Sequence, residues 1–434
     1  MKIREIHSYQ SIFDSSLKNL IKPQNVVGQI IKNKLEMLDV PVNPKQYSKL
    51  LDQIKGFEKE KNLSFQLSDK QIKASGLTKE ELESKINSSL ADLIPDLEKY
   101  TDKLETLMPE VVQNLSKVCS RSLYKSVKRS RKSVIADRQV DQFLFESRLF
   151  DTWGKAFDVL ETLIGIAIES GELFVRNLNH DKTGIFEEVL IIVHARCCQI
   201  AGEILALLKT GFADGAFARW RSLHEVSTIA LFIADNDYLV AERYFYHQDI
   251  ETLRHMQAEL SRFPAFEEDQ EFQNVLSELK DAEQDLLGKY GQEFATDFGW
   301  AASTLNKKKP TFRDIEAAIN LDFLRIHYKH ASLNVHGSSK GAFDRLGTVY
   351  GIDSPLLAGR SNVGLEIPGY LCAVSLTQVT IALLTKNSNL DQIVYMKVIG
   401  RLEREADTNF KKLAKKLRKQ IEKINLKQIK TKVD

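Results

Sequence analysis

Apolar residues recur at helical spacing along most of the chain after residue 141. They return every three or four positions, as they do on the buried face of an α-helix. The pattern predicts helices over about residues 141–178, 186–208, 216–234, 238–261, 266–297, 312–335, 366–385 and 390–430. The segment 337–369 holds seven glycines and is expected to be irregular, with short strands as an alternative. The predicted fold class is therefore all-α, with a helical bundle as its core.

The N-terminal part of the chain is polar, rich in lysine and poor in residues that could build a core. Thr78 and Glu81 have the spacing of a capping box, which predicts that a helix starts there. Pro95 and Pro109 are expected to divide the following segment into shorter helices. We therefore predict an N-terminal helical region over residues 1–136, either a domain or an extended helical arm. A helical core domain over residues 137–388 and a basic amphipathic C-terminal helix over residues 389–434 follow it.

The composition, 43% hydrophobic and 28% charged over 434 residues, is that of an ordinary globular protein. Four cysteines without a CxxC pair indicate neither a disulfide framework nor a zinc site, and they fit a reducing cytosol. The N-terminus lacks the apolar core of a signal peptide, and the most apolar runs are short or interrupted. We therefore expect a cytoplasmic protein without a transmembrane helix. Phosphate-binding-loop, serine-hydrolase and zinc-protease motifs are missing, so neither a metal nor a cofactor is expected.

Three rows of polar side chains interrupt the apolar pattern, and within each row the members lie four residues apart. The first row is Arg221 and Glu225, with Arg219 and His224 beside them; the second is Arg243 and His247; the third is Tyr328, Ser332 and His336. Side chains at this spacing share one face of a helix. Because charges rarely enter apolar surroundings without partners, the rows are expected to meet one another.

The rows have two interpretations, a catalytic site and a buried structural network. Arginine can stabilise charge on phosphate oxygens, and histidine can move a proton near neutral pH, so together they suit cleavage of RNA without a metal. The catalytic interpretation assigns catalysis to Arg221, Glu225, Arg243, His247 and His336, and binding to Arg219, His224, Tyr328 and Ser332. In the structural interpretation, the same residues only satisfy one another within a core.

The order of four separated motifs resembles an uncharacterised bacterial family of all-helical domains. The motifs are RWRSLHE, AERYFYHQDI, YGQEFATDFGWA and YKHASLNVHGS, and the resemblance covers about residues 143–385. It implies an all-helical domain whose shared polar positions are Arg221, Glu225, Arg243, His247, Tyr328, Ser332 and His336.

Members of that family look distantly similar to HEPN ribonucleases and abortive-infection proteins, which implies a role in defence against phage. The HEPN spacing of arginine and histidine occurs at Arg219 and His224 and again at Arg325 and His330. About one or two such matches are expected by chance in a chain with 9 histidines, so the spacing alone is a weak signal. In the HEPN pattern a polar residue usually follows the arginine, whereas Trp220 follows Arg219 here.

Two basic segments point to a polyanionic partner. Residues 117–132 carry seven basic residues and no acid, and Lys128, Arg129 and Arg131 among them are candidate phosphate-binding residues. Residues 411–434 form a second basic segment with an apolar stripe. This pattern suits a surface helix packed on the domain, and equally contact with RNA or DNA, a membrane surface or a second copy of the chain.

Taken together, these patterns lead to two hypotheses about function. The first is a metal-independent ribonuclease of HEPN-like type in antiphage defence, which binds RNA and forms a homo-oligomer. The second is a non-catalytic helical module that binds a ligand or a partner and contains a buried polar network.

Overall fold

A computed structural model describes residues 9–60, 66–178, 184–348 and 358–433. These residues form sixteen α-helices and no strand, which confirms the all-α prediction. The helices are α1 (Tyr9–Leu20), α2 (Pro23–Glu36), α3 (Pro44–Glu60), α4 (Asp69–Ser75), α5 (Lys79–Ala91), α6 (Leu93–Arg176), α7 (Ile185–Lys209), α8 (Ala213–Asp235), α9 (Tyr238–Arg262), α10 (Gln270–Tyr290), α11 (Ala302–Leu305), α12 (Phe312–Ala318), α13 (Arg325–Val335), α14 (Ser339–Phe343), α15 (Glu366–Leu384) and α16 (Leu390–Val433).

The chain divides into two compact units, unit 1 (Met1–Asp141) and unit 2 (Gln142–Asp434). In unit 1, a small apolar core forms around Ile31, Leu35, Val40, Leu50 and Leu82. The predicted capping box is present at the start of α5. The backbone N–H of Thr78 donates to the Glu81 carboxylate at 2.9 Å, and the N–H of Glu81 donates to the Thr78 hydroxyl at 3.3 Å.

The prediction that prolines divide the segment after residue 93 was wrong, because α6 runs unbroken for 84 residues. Pro95 lies in the first turn of α6, where a backbone N–H has no partner within the helix, so its ring costs little. Pro109 lies inside the helix and removes one backbone hydrogen bond there.

Unit 2 is built around one large core. The core takes Trp153 and Phe157 from α6, Trp220 from α8, Leu376 from α15 and Phe410 from α16. The Phe410 ring lies 6.1 Å from the ring of Trp153 and 6.4 Å from that of Phe157. The C-terminal helix therefore belongs to this core over its first half. Its last residues, from 424 onward, are described for the backbone only.

Two helices of unit 2, α7 and α15, are long and apolar enough to cross a membrane by length and composition. That is weak evidence for a membrane protein, because buried core helices pass the same test and more than half of each apolar window is buried here.

The predicted helix over residues 312–335 is two helices, α12 and α13, separated by a turn. Asn320 has a φ of +57°, in the left-handed region, which ends the first helix. The predicted helix over residues 266–297 likewise ends at Tyr290, because Gly291 takes a positive φ of 92°.

The described part of the glycine-rich segment 337–369 is tied to the start of α8 and to the turn that precedes it. The Asp214 carboxylate accepts the backbone N–H of Leu346 at 2.7 Å and of Gly347 at 3.3 Å, and Ser361 N–H donates to the Gly211 carbonyl at 2.9 Å. Residues 349–357 of the segment lie outside the described residues.

Candidate functional site

The first and third polar rows meet where α8 packs on α13. The Tyr328 hydroxyl donates to the Glu225 carboxylate at 2.5 Å and accepts from the Arg221 guanidinium at 2.9 Å. Arg221 also forms an ion pair with Glu225 at 3.0 Å. The Arg221 and Glu225 side chains are 22% and 33% exposed, so this part of the site reaches solvent.

Directly beneath these residues lies a buried contact between a histidine and a glutamate that sequence reasoning missed. His224 Nε2 is 2.9 Å from the Glu316 carboxylate, and both side chains are almost completely buried. Arg325 binds the other oxygen of Glu316. Glu316 is on α12, 92 positions from His224, and its neighbours in sequence gave no sign of this contact.

Tyr328 joins the two sets of contacts. The guanidinium groups of Arg221 and Arg325 lie 4.9 and 5.1 Å from the centre of its ring, and the His224 ring lies 5.9 Å away. Burial and the hydrogen bond to Glu225 raise the pKa of the Tyr328 hydroxyl. We call these six residues the polar network: Arg221, His224, Glu225, Glu316, Arg325 and Tyr328.

The charges of the polar network balance. Its two guanidinium groups face two carboxylates, and both oxygens of Glu316 are occupied. Nδ1 of His224 is buried without a hydrogen-bond partner among the described residues, which fits the tautomer that carries its proton on Nε2. A charge-balanced set of this kind can hold α8, α12 and α13 in one arrangement.

The two HEPN-type spacings do not create arginine–histidine pairs. Arg219 binds Glu203 on α7, whereas His224 binds Glu316 on α12. Arg325 also binds Glu316, whereas His330 packs edge-on against Phe217, with 5.6 Å between ring centres. In each match the two side chains therefore have different partners.

The second polar row has partners of its own, none of which belongs to the polar network. The Arg243 guanidinium lies 5.6 Å from the Tyr290 ring centre. His247 is 2% exposed, and its Nε2 donates to the Thr296 carbonyl at 2.9 Å. Its Nδ1 is 3.4 Å from Glu251, and the hydrogen bond between them lowers the pKa of the Glu251 carboxyl.

His247 lines a cleft of about 590 Å³ together with other polar residues. Arg254 and Asp297, which form an ion pair at 3.0 Å, stand at this cleft, and Phe245 and Trp300 supply apolar walls. The Thr296 carbonyl and the Glu251 carboxylate hold this imidazole in place at the wall of the cleft.

The remaining members of the third row do not join Tyr328 in one site. The Ser332 hydroxyl donates to the Tyr328 carbonyl at 2.8 Å, which is a contact within the helix. His336 is exposed just beyond α13, and eight residues of helix place it about 12 Å along the axis from Tyr328.

A second acidic group escaped sequence reasoning, although it stands next to Arg243. Glu242 is 5% exposed and accepts hydrogen bonds from the Lys289 ammonium and the Tyr290 hydroxyl, each at 2.5 Å. The hydrogen bonds from Lys289, Tyr238 and Tyr290 lower the pKa of the Glu242 carboxyl to about 2. Lys289 and Tyr290 follow 47 and 48 positions later, so local spacing could not reveal the cluster.

His194, on α7, is buried. Its Nε2 lies 3.0 Å from the Thr380 hydroxyl, which itself donates to the Leu376 carbonyl. Burial lowers the pKa of His194 to about 4.

The basic segment of residues 117–132 lies on the surface of α6. All seven basic side chains of residues 117–132 are exposed: Lys117, Arg121, Lys125, Lys128, Arg129, Arg131 and Lys132. At about 100° per residue, they fall within an arc of about 160° on the helix and extend about 22 Å along its axis. We call this set the basic stripe.

Comparison with known proteins identifies the central part of the chain only as an uncharacterised domain. No curated protein and no solved structure matched the chain. Among the described residues, no three His, Cys, Asp or Glu side chains are grouped in a way that could hold a metal ion. Residues 187–350, which include the whole polar network, match the model of a family of unknown function (DUF5677).

Proposed function

We propose that this chain binds the backbone of single-stranded RNA on the basic stripe of α6, and that its polar network has a structural role without catalysis. The observation that carries the proposal is the stripe itself. Seven exposed cations share one side of a helix, and no acidic residue lies within residues 117–132 to neutralise them. Such an array attracts phosphates and releases their counterions.

The stripe is suited to the nucleic-acid backbone rather than to the bases. Tyr124 is the only aromatic residue within residues 117–132. Sequence-tolerant RNA-binding proteins that stack bases use several aromatic side chains beside the cations. Contacts from lysine and arginine to phosphates position a nucleic acid without reading its sequence. We therefore expect weak sequence preference and strong dependence on salt.

A structural role for the polar network follows from the burial of its histidine. A general base must come within hydrogen-bonding distance of the proton that it removes. The His224 side chain is 1% exposed and is bound to Glu316, so a substrate cannot reach it without opening the core. The charges of the network are also already balanced by one another.

The salt dependence of RNA affinity tests the role of the basic stripe. We expect the triple variant Lys128→Ala/Arg129→Ala/Arg131→Ala to weaken binding of a fluorescent single-stranded RNA, measured by anisotropy. Because each phosphate contact contributes about 0.7 to the slope of log affinity against log salt, the slope should fall by about 2.

A matched control removes three exposed lysines from unit 2, by Lys280→Ala/Lys308→Ala/Lys309→Ala. This variant lowers the net charge equally but leaves the stripe intact, so its salt slope should equal that of the unchanged protein. Equal losses in both variants would show that only overall charge matters, and the proposal would fail.

A second candidate function is the metal-independent ribonuclease in antiphage defence. His336 favours it, because this imidazole is exposed and follows the helix that carries Tyr328. Incubation of total RNA with the protein in the presence of EDTA distinguishes the two proposed functions. The binding proposal expects intact RNA, whereas cleavage that is lost in both His336→Ala and His247→Ala would establish the nuclease.

A further inference from the structure

Helix α6 exposes an unusual number of apolar side chains in unit 1. Ten large apolar residues between positions 107 and 140 are 38–63% exposed: Leu107, Val111, Val112, Leu115, Val118, Leu123, Tyr124, Val127, Ile135 and Val140. Single exposed apolar residues are ordinary on a protein surface, but a continuous array marks a surface that another molecule covers.

Four members of this array, together with the half-buried Cys119 and Val134, form a straight face on the side of α6 opposite the basic stripe. At about 100° per residue, six residues fall within an arc of about 120°, whose centre lies about 180° from that of the stripe. The six residues are Val112, Leu115, Cys119, Leu123, Val127 and Val134, and we call them the apolar face. The other positions on that arc between Val112 and Val134 are serines: Ser116, Ser126, Ser130 and Ser133.

We propose that the apolar face of α6 packs against the same face of a second copy of this chain. The argument rests on charge. From Val112 to Val134 the arc carries no ionisable group apart from the Cys119 thiol, so two copies meet there without like charges in contact. The basic stripes of both copies then point outward, where their mutual repulsion is smallest. The spacing of three or four residues from Val112 to Val127 is that of packed helix pairs.

A membrane surface is the main competing occupant, because amphipathic basic helices also bind anionic lipids. Helices that bind in this way carry Trp, Phe and Leu on the apolar side. The apolar face has no aromatic residue and is interspersed with four serines, which suit close packing of two helices better than insertion into lipid. A second copy is therefore the better fit. The proposal stands independently of RNA binding, since it uses the other side of the helix.

The mass of the full-length chain in solution tests the proposal. Sedimentation velocity over a wide concentration range should show twice the chain mass of 49.4 kDa. The variant Leu123→Glu/Val127→Glu places two carboxylates on the apolar face and should sediment as a single chain. The control Val118→Glu/Tyr124→Glu adds the same charges to exposed apolar residues on the stripe side, and it should remain a dimer.

Three results would overturn the proposal. The first is a single-chain mass of the unchanged protein at every concentration. The second is a dimer that survives Leu123→Glu/Val127→Glu, with helix content by circular dichroism confirming that both variants are folded. The third is that the unchanged protein is a single chain in solution and co-sediments with anionic vesicles, and that this vesicle binding is lost in Leu123→Glu/Val127→Glu. The apolar face would then bind a membrane surface.

Alkylation of Cys119 gives an independent measurement. Cys119 lies on the apolar face, whereas Cys197, Cys198 and Cys372 are buried, and burial raises the pKa of the Cys198 thiol to about 12. A maleimide should therefore react first at Cys119. Its rate should fall as protein concentration rises and the face becomes covered, and it should be independent of concentration in Leu123→Glu/Val127→Glu. A concentration-independent rate in the unchanged protein would contradict a covered face.

Discussion

Removal of the Glu316 carboxylate should destabilise unit 2 more than any other single change in the polar network. Glu316 is 0% exposed and holds His224 with one oxygen and Arg325 with the other. Breaking a buried ion pair by deleting one partner costs about 3–5 kcal/mol. Arg325 is 27% exposed and can regain some solvation, so we expect Glu316→Ala to cost about 3 kcal/mol, at the lower end of that range.

Urea unfolding followed by tryptophan fluorescence is the appropriate assay. All three tryptophans, Trp153, Trp220 and Trp300, are buried in unit 2, so the signal reports on that unit alone. Trp220 also stacks on His224 at 5.2 Å between ring centres.

Two further variants show whether burial of the charge is the cause. Glu225→Ala removes a carboxylate whose side chain is 33% exposed, so it should cost about 1 kcal/mol. Glu316→Gln keeps the shape and one acceptor, and should fall between the two alanine variants. If the free energy of unfolding of Glu316→Ala is within about 1 kcal/mol of that of the unchanged protein, the polar network does not hold unit 2 together and the reasoning is refuted.

Three further variants each test one contact of unit 2. His194 has a pKa of about 4 when folded and an ordinary pKa of 6.5, so it stays neutral in the core while the unfolded chain binds a proton. Stability should therefore fall as pH drops from 6.5 to 4, by at most about 3 kcal/mol. In His194→Gln the urea midpoint should depend less on pH across that range. The same pH dependence in the variant and the unchanged protein would contradict the assignment. Asp214→Ala leaves the amides of Leu346 and Gly347 without their acceptor, so their hydrogen exchange should speed up at least tenfold, and unaltered exchange would count against the anchor. Tyr328→Phe removes the hydroxyl between Arg221 and Glu225, and should lower the free energy of unfolding by about 1–2 kcal/mol; no loss of stability would show that this bridge is not needed.

Helices with a strong apolar period were predictable from the sequence to within a few residues. The predicted helix over residues 186–208 is α7 (Ile185–Lys209), and that over residues 238–261 is α9 (Tyr238–Arg262). One side of each of these helices packs against a large core. Apolar residues therefore recur every three or four positions in their sequences. The N-terminal part of α6 lacks such a core, and its helix could not be recognised by that period.

Breaks within helices were harder to predict because they depend on single backbone conformations. Asn320 ends α12 through a positive φ that an asparagine tolerates, but apolar residues continue at nearly the same spacing on both sides of it. The prediction therefore treated α12 and α13 as one continuous helix.

The candidate site was only partly predictable, because its decisive contacts connect distant parts of the chain. The sequence placed Arg221 and Glu225 on one face of α8 correctly, since that depends on local helix geometry. It could not show that Glu316, 92 positions from His224, is the partner of that histidine. Glu251, four positions after His247 on the same helix, is a local partner that helix spacing could have indicated, whereas the Thr296 carbonyl, 49 positions away, could not be found from spacing.

The most direct measurement of the proposed function follows one labelled single-stranded RNA through two gels, after incubation with the full-length protein in EDTA at low salt. We predict a retarded band on the native gel and a full-length RNA on the denaturing gel, because the basic stripe holds phosphates and the polar network does not cleave them. An RNA that runs free on the native gel, or fragments on the denaturing gel that vanish in His336→Ala, would contradict the claim.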